Sequence, residues 1–275
     1  MSNLRVLYIA SEITPFLDMC GVGEHLRPLP EGMQNKGLEI RIIVPRFGVI
    51  NERKNRLHEV VRLSGINISI GEEEKPLIIK VASIPQAKMQ VYFIDNEDYY
   101  QRKRLFTDDA EQPFEDNDER AIFFCKGALE TVKKLGWSPD IVHCHDWFAG
   151  AVPMYLRSSY KNHPIFKETK IIYTAYDNLF AQTFDKTTLL DKLAWDDLDQ
   201  NLAEPLIANP TPAGFVGVGA SLADFVVKAQ PSQDLDNALQ SIAQDKVLSA
   251  NSEEESICDF YHQLYQELVG EAKMV

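Results

Sequence analysis

His143, His145 and Asp146, side chains able to move or hold a proton, lie together at the centre of Pro139–Gly150 (PDIVHCHDWFAG). Ile141 to His145 is a short, mostly apolar run after a Pro-Asp turn, and Asp146-Trp147 opens a helix-like segment. This reads as a buried strand ending in a polar turn, and an open parallel sheet binds ligands at such strand ends. His143 and His145 are two apart and share a strand face. Two histidines on one face suit a metal, but no third ligand is evident locally. The other reading is a pair hydrogen-bonded inside the sheet or at its edge. Asp146 is the better functional candidate: a carboxylate there caps a helix or accepts sugar hydroxyls, and the residues do not separate the two.

The second constellation is Asp18-Met19-Cys20-Gly21-Val22-Gly23-Glu24, which follows the apolar run Leu4–Ala10 and the dipeptide Ser11-Glu12. A glycine loop between strand and helix brings backbone N–H groups close to a phosphate or sugar. The motif is GxG rather than GxGxxG, and a tight turn accounts for it equally well. Leu26, Leu29 and Met33 keep a helical period, Pro28 and Pro30 fit only a first turn or a late start, and Gly37 is a stop signal. Glu39–Val44 is then a second strand, ended by Pro45. The opening is therefore strand, glycine loop, helix, strand, as in nucleotide-binding α/β folds.

These groups need a large scaffold, and 275 residues with 45% hydrophobic and 25% charged content can supply one large domain or two small ones. The net charge of −13 disfavours a nucleic-acid or anionic-membrane surface while leaving room for a small anionic ligand. No run reaches the roughly 18 apolar residues of a membrane span, and the chain opens directly into a strand without a leader, so a cytoplasmic location is expected. Cys20, Cys125, Cys144 and Cys258 are scattered, with no CxxC, and read as reduced thiols.

Leu57–Ile70, Leu77–Ile84 and Met89–Ile94 are β-rich runs that fit a hairpin or meander arm. Asp95–Glu119 is strongly acidic and reads as a solvated loop, in which Tyr99 and Tyr100 hint at a surface for sugar or a partner. Asp116 or Asn117 can cap a helix to Leu135, stopped by Gly136, with Ile122, Cys125, Leu129 and Val132 inward. Lys170–Thr174 is a further strand. Leu189–Leu202 reads as an acidic helix, Gly217-Val-Gly219 as a turn, Phe215–Val218 as a short strand and Leu222–Lys228 as a short helix. Ser252 and Glu255 form a capping box for a last helix whose apolar stripe is Ile257, Phe260, Tyr261, Leu264 and Leu268, and this helix is expected to dock.

Taken together, LYIASEITPF with the CGVGE loop, VPRFGVIN, YFIDNEDYY, DNDERAIFF, PDIVHCHDW and IIYT resemble, in order and approximate spacing, bacterial glycogen synthases and plant starch synthases (glycosyltransferase family 5). The nearest likeness is to short glycogen-synthase-like chains of Bacteroidetes-type bacteria. The likeness is clear over 3–180 and faint to about 228. It implies an α/β fold, a single Rossmann-like doubly wound parallel sheet equivalent to the N-terminal domain of a GT-B enzyme, with an inserted β-hairpin or meander and a C-terminal helix. The expected division is 1–228 for that domain and 229–275 for a linker and docking helix. Family members move glucose from ADP-glucose or UDP-glucose to an α-1,4-glucan without a metal. A second domain holds most of the nucleotide there, and too few residues follow Phe180 to form one.

The resemblance also carries site residues. Glu12, Gly21, Gly23, Glu24, His145, Asp146, Trp147 and Tyr176 fall on substrate-binding positions, with no catalytic set intact and no metal or cofactor implied. The family loop KTGGLGD carries a lysine that meets the donor phosphate, and Asp18 stands there. Cys20 replaces its first glycine. Phe148 stands at the last histidine of HDWH, and Tyr176 at the histidine of YTIHN. The expectation is a glycogen-synthase-related protein that binds α-glucan or a sugar nucleotide and is not active alone. The alternatives are a half-enzyme completed by a partner chain or an active glucosyltransferase. The face that would meet a second domain should be covered by a homodimer or by residues 181–275.

Overall fold

The computed structural model describes residues 3–85, 87, 89–249 and 256–272. Seven parallel strands form the frame: β1 (Arg5–Ile9), β2 (Glu39–Pro45), β6 (Gln90–Asp95), β7 (Ile141–His145), β8 (Lys170–Ala175), β9 (Phe225–Lys228) and β10 (Val247–Ser249), in the order β10-β9-β8-β7-β1-β2-β6. Beyond β6 the sheet turns antiparallel through β5 (Glu73–Ser83), which also pairs with β3 (His58–Glu59) and β4 (Ile66–Ile70). The α/β doubly wound sheet with a meander arm is thus present, and it continues past Lys228 into β10.

The near-continuous apolar runs of β1 and β7 follow from burial on both faces. Side-chain alternation puts Tyr8, His143, His145 and Thr174 on one face and Ile9, Cys144 and Tyr173 on the other. The first face is covered by the helix Pro28–Asn35 and the terminal helix Ile257–Ala272, which touch each other. The second is covered by the helices Asn117–Leu135, Val152–Arg157 and Pro212–Leu222. The terminal helix docks as expected, through Tyr261, Leu264, Tyr265 and Leu268, all buried. Its start is capped by Ser256, whose hydroxyl accepts the Asp259 N–H at 3.2 Å and donates to the Asp259 carboxylate, while the Ser252–Glu255 box lies outside the described residues.

Three expectations are corrected. The segment Pro212–Leu222 is a helix, not a strand and turn, and Phe225–Lys228 is a strand, not a helix. The Val-Gly alternation mimics a strand period, but its glycines answer to packing. A Cβ on Gly219 would lie 2.6 Å from the Tyr173 ring and 2.9 Å from the Gly150 carbonyl. Thr211 caps this helix by accepting the Gly214 N–H, with Pro212 in the first turn. Second, Asp95–Glu119 is not a solvated loop throughout. Asp95 is buried against Lys80 (2.8 Å) and Asp118 against Lys192 (2.9 Å). Tyr99 and Tyr100 are also buried, packed on Phe123, and offer no surface to a sugar. Third, the run Leu189–Leu202 is broken: one helix covers Lys186–Leu193, and a short 3₁₀ turn begins at Gln200.

Candidate functional site

Strand order reverses at β1, from which the chain builds outward first to β2 and β6 and then to β7 and β8. Ligands of doubly wound sheets bind in the crevice this reversal opens at the strand carboxyl ends. Here those ends are Ala10-Ser11-Glu12 and His145-Asp146.

Asp146 closes the crevice floor. Its Oδ2 accepts the Ser11 N–H at 2.9 Å and the Ser11 hydroxyl at 2.7 Å, and its Oδ1 accepts the Phe148 N–H at 2.7 Å. The Asp146 carbonyl accepts the Tyr173 hydroxyl at 2.7 Å. The residue has no exposed surface, and φ is 60° with ψ at 176°, a region costly for a side-chain-bearing residue. Burial pushes its carboxyl up to about 7, against the pull of the Ser11 and Phe148 donors. The carboxylate therefore caps the 3₁₀ turn Trp147–Ala149 and ties β7 to β1.

Glu12 organises the glycine loop. Its Oε2 accepts the Met19 N–H at 2.8 Å, and its Oε1 accepts Cys20 at 2.8 Å and Val22 at 3.2 Å. Gly21 takes a left-handed φ of 77°, and Gly23 lies so close to the Leu17 carbonyl that a Cβ could not fit. Both glycines are required by the turn, whose amides point at Glu12 rather than outward. Asp18 and Glu24 are exposed on the loop, joined by a 3.3 Å bond from the Glu24 N–H to Asp18.

The two histidines belong to a buried polar network. His143 bonds Tyr265 (2.6 Å) through Nδ1 and Thr174 (2.7 Å) through Nε2. Thr174 also bonds Tyr261 (2.9 Å), and Tyr265 donates to Tyr8 (3.0 Å). His145 Nδ1 bonds the Tyr176 hydroxyl at 3.0 Å, while its Nε2 is buried without a partner. Burial, and for His143 also the neighbouring His145, holds both rings well below the usual imidazole range, His145 at about 3. Both nitrogens of His143 are thus committed to hydroxyls.

Trp147 is a core residue. It is fully buried among Phe106, Phe148, Phe180, Phe184 and Phe215, and its Nε1 is unpartnered. Phe148 packs on Phe47 and Phe124 in the same cluster. The structure therefore brings Glu12, His145, Asp146 and Tyr176 to one strand-end hub, keeps Gly21, Gly23 and Glu24 on the adjoining loop, and turns Trp147 into the core. Sequence reasoning missed Ser11, Tyr8, Thr174 and Tyr265. The pairing register would have found two of them, since Tyr8 lies opposite His143 and Thr174 opposite His145. It also missed Asn178, whose two amide atoms are buried without partners beyond β8.

Among the described residues no helix is long and apolar enough to cross a membrane. The starch synthase catalytic domain matches residues 5–234, beyond the 3–180 legible in the motifs. The glycogen synthase of Chlorobaculum parvum is 34% identical over 90% of the chain and 51% of its own length. That of Chlorobium limicola is 37% identical over 82% of the chain and 45% of its own length. The catalytic domain of starch synthase IV from Arabidopsis thaliana, bound to ADP and acarbose, superposes with a TM-score of 0.71 at 19% identity, covering 90% of this chain and 51% of that one. The chain spans about half the length of these relatives. A strand-end hub at the reversal of a doubly wound sheet, set in a sequence that matches one family over most of its length, leads to one conclusion: the chain belongs to the starch synthase catalytic domain family.

Proposed function

We propose that this chain is a carbohydrate-binding member of its family that does not transfer glucose by itself. The observation that carries the reading is the glycine loop, which presents the exposed carboxylate of Asp18 where the family loop offers a lysine to the donor diphosphate, while Glu24 keeps the acid that the family loop already has. Like charges raise the free energy of a nearby diphosphate, most steeply where water is excluded. Tyr176 adds to this: it stands at a reacting-centre histidine of the family and spends its hydroxyl on His145. The scaffold that shapes a sugar crevice is kept, and the groups that would draw in a leaving diphosphate are not.

The decisive experiment is transfer of labelled glucose from ADP-glucose and from UDP-glucose to glycogen by the pure chain. No turnover above background is expected, together with retention of the chain on immobilised glycogen. Robust turnover would overturn the reading, as would no retention on glycogen combined with no shift in melting temperature by either sugar nucleotide. Because the chain spans about half of its relatives, a complex with a second polypeptide is the other arrangement that would restore transfer. Turnover appearing only when a co-purified chain is added would identify it.

A further inference from the structure

Three strands out from β1, the sheet ends in the arm built on β5, which β3 and β4 flank. The two ends of this arm carry opposite charge. Around β3, the run Asn51–Arg62 presents Arg53, Lys54, Arg56 and Arg62, all exposed, beside Val61, which is 77% exposed. Of the two carboxylates in the run, Glu52 turns back to Arg46 and Lys80 (2.6 Å), which leaves Glu59. At the other end, the turn from β4 to β5 presents Glu72, Glu73 and Glu74, all exposed. Lys75 joins Asp98 to this tip, lying 2.6 Å from Glu73 and 3.5 Å from Asp98. One end is therefore a cationic strip on a chain whose net charge is −13, and the other is an acidic tip.

Glu73, paired with the end of β4, and Lys80, paired with β3, are seven residues apart on β5, about 23 Å along an extended strand. Exposed charges act over roughly 8 Å in physiological salt, so strip and tip do not neutralise each other within one chain. Their spacing is fixed. Ile68, Leu77 and Ile79 bury one face of the arm, Leu77 against Gly127 of the helix Asn117–Leu135. From the same helix Lys126 donates to the Ser69 carbonyl (2.8 Å), and Lys134 to those of Leu63 (3.1 Å) and Ser64 (3.0 Å). Strand alternation puts Asn67, Pro76 and Ile78 on the opposite face, between the charged ends, where they are exposed or half-buried.

A partner for this face must set an acidic patch on the strip and a basic patch on the tip, at the same spacing. A second copy turned end for end has both by construction, and one two-fold axis through the middle of the arm satisfies the two contacts together. We propose that two copies of this chain associate antiparallel through the arm, the cationic strip of each on the acidic tip of the other, across Asn67, Pro76 and Ile78. This interface uses none of the strand-end residues and stands whether or not the chain binds carbohydrate.

The test is sedimentation velocity of the full chain and of charge-reversed variants at about 0.1 M salt, which screens the general repulsion between two acidic chains beyond about 10 Å and leaves close pairs intact. The wild type should sediment as a dimer at micromolar concentration. Arg53→Glu with Arg56→Glu, and separately Glu72→Lys with Glu74→Lys, should each weaken the dimer at least about a hundredfold, because like charges then face each other. Mixing the two variants should restore a dimer. So should a chain carrying all four substitutions, whose net charge is that of the wild type. The four side chains are exposed, and unchanged melting temperatures will confirm that each variant is folded. A monomeric wild type would overturn the proposal, as would a dimer indifferent to either reversal. Failure of both the mixture and the fourfold variant to reassociate would overturn it too, and assemblies that grow past the dimer would rule out the two-fold arrangement.

Discussion

At the scale of residues, chemistry in this protein is turned inward. Glu12 and Asp146 were expected as binding carboxylates, yet together they accept five backbone N–H groups, from Ser11, Met19, Cys20, Val22 and Phe148, and the Ser11 hydroxyl. The histidines are neutral when folded, which makes stability depend on pH with a definite sign. His143 and His145 have folded values below the unfolded one, so their stability is fully present above about pH 6.5 and is lost as the pH falls and the unfolded chain takes up protons. Asp146 has the opposite sign: raised to about 7, it favours the folded state progressively as pH falls from 7 towards 4. Two histidines outweigh one aspartate by about one proton, which corresponds to about 1.4 kcal/mol lost per pH unit below 6. His145→Gln should remove about one proton from that slope. Urea midpoints at pH 5, 6 and 7 measure it, and an identical slope in the variant would show that His145 is not a buried neutral ring.

Among the elements, the helix Pro212–Leu222 shows how packing overrides local pattern. Its glycines let it lie against β8 and against Gly150, which itself is crowded by the Phe215 carbonyl. Two substitutions separate packing from backbone propensity. Gly219→Val drives methyl groups into the Tyr173 ring and should cost about 2–4 kcal/mol through overpacking. At Gly217 a Cβ would meet only the Ala238 carbonyl, at 3.5 Å, an ordinary contact. Gly217→Ala should therefore be neutral or stabilise by up to about 1 kcal/mol, the helix propensity gained. Denaturant unfolding of the pair checks this, and equal losses at both sites would mean that close packing is not what selects the glycines.

For the whole molecule, the question is what covers the two faces of β1, β7 and β8. Residues 181–275 contribute to both: Phe184 and Phe215 pack on Trp147 on the side of the Pro212–Leu222 helix, and the terminal helix lies on the tyrosine–histidine network of the opposite face. Lys36 to Asp259 (2.6 Å) and the fit of Cys258 against Gly32 fasten that helix to Pro28–Asn35. Tyr265, fully buried, is the central contact. Tyr265→Ala should cost about 3–5 kcal/mol as a large core truncation, and Tyr265→Phe about 1 kcal/mol as a lost hydrogen bond. A Tyr265→Ala protein as stable as the wild type would mean that the helix is a loose appendage.

The parallel strands β1, β2, β7 and β8, the loop glycines and the helix from Asn117 to Leu135 were legible in the residues, because each is announced by local chemistry: apolar runs, a helical stripe, a stop, a turn that only glycine can make; the cap expected of Asp116 or Asn117 is absent, since Asp116 pairs with Arg102 instead. The family and the strand-end position of Asp146 followed from the same local signals. What the residues alone did not reveal is which way the polar groups face. Whether Asp146 meets a ligand or Ser11, whether Trp147 stacks on a sugar or on five phenylalanines, and whether Val-Gly-Val-Gly is strand or helix depend on partners as many as 135 residues distant. Hydrogen bonding and close packing are settled by distance in space, and no periodicity along a chain encodes it until the sheet has been assembled.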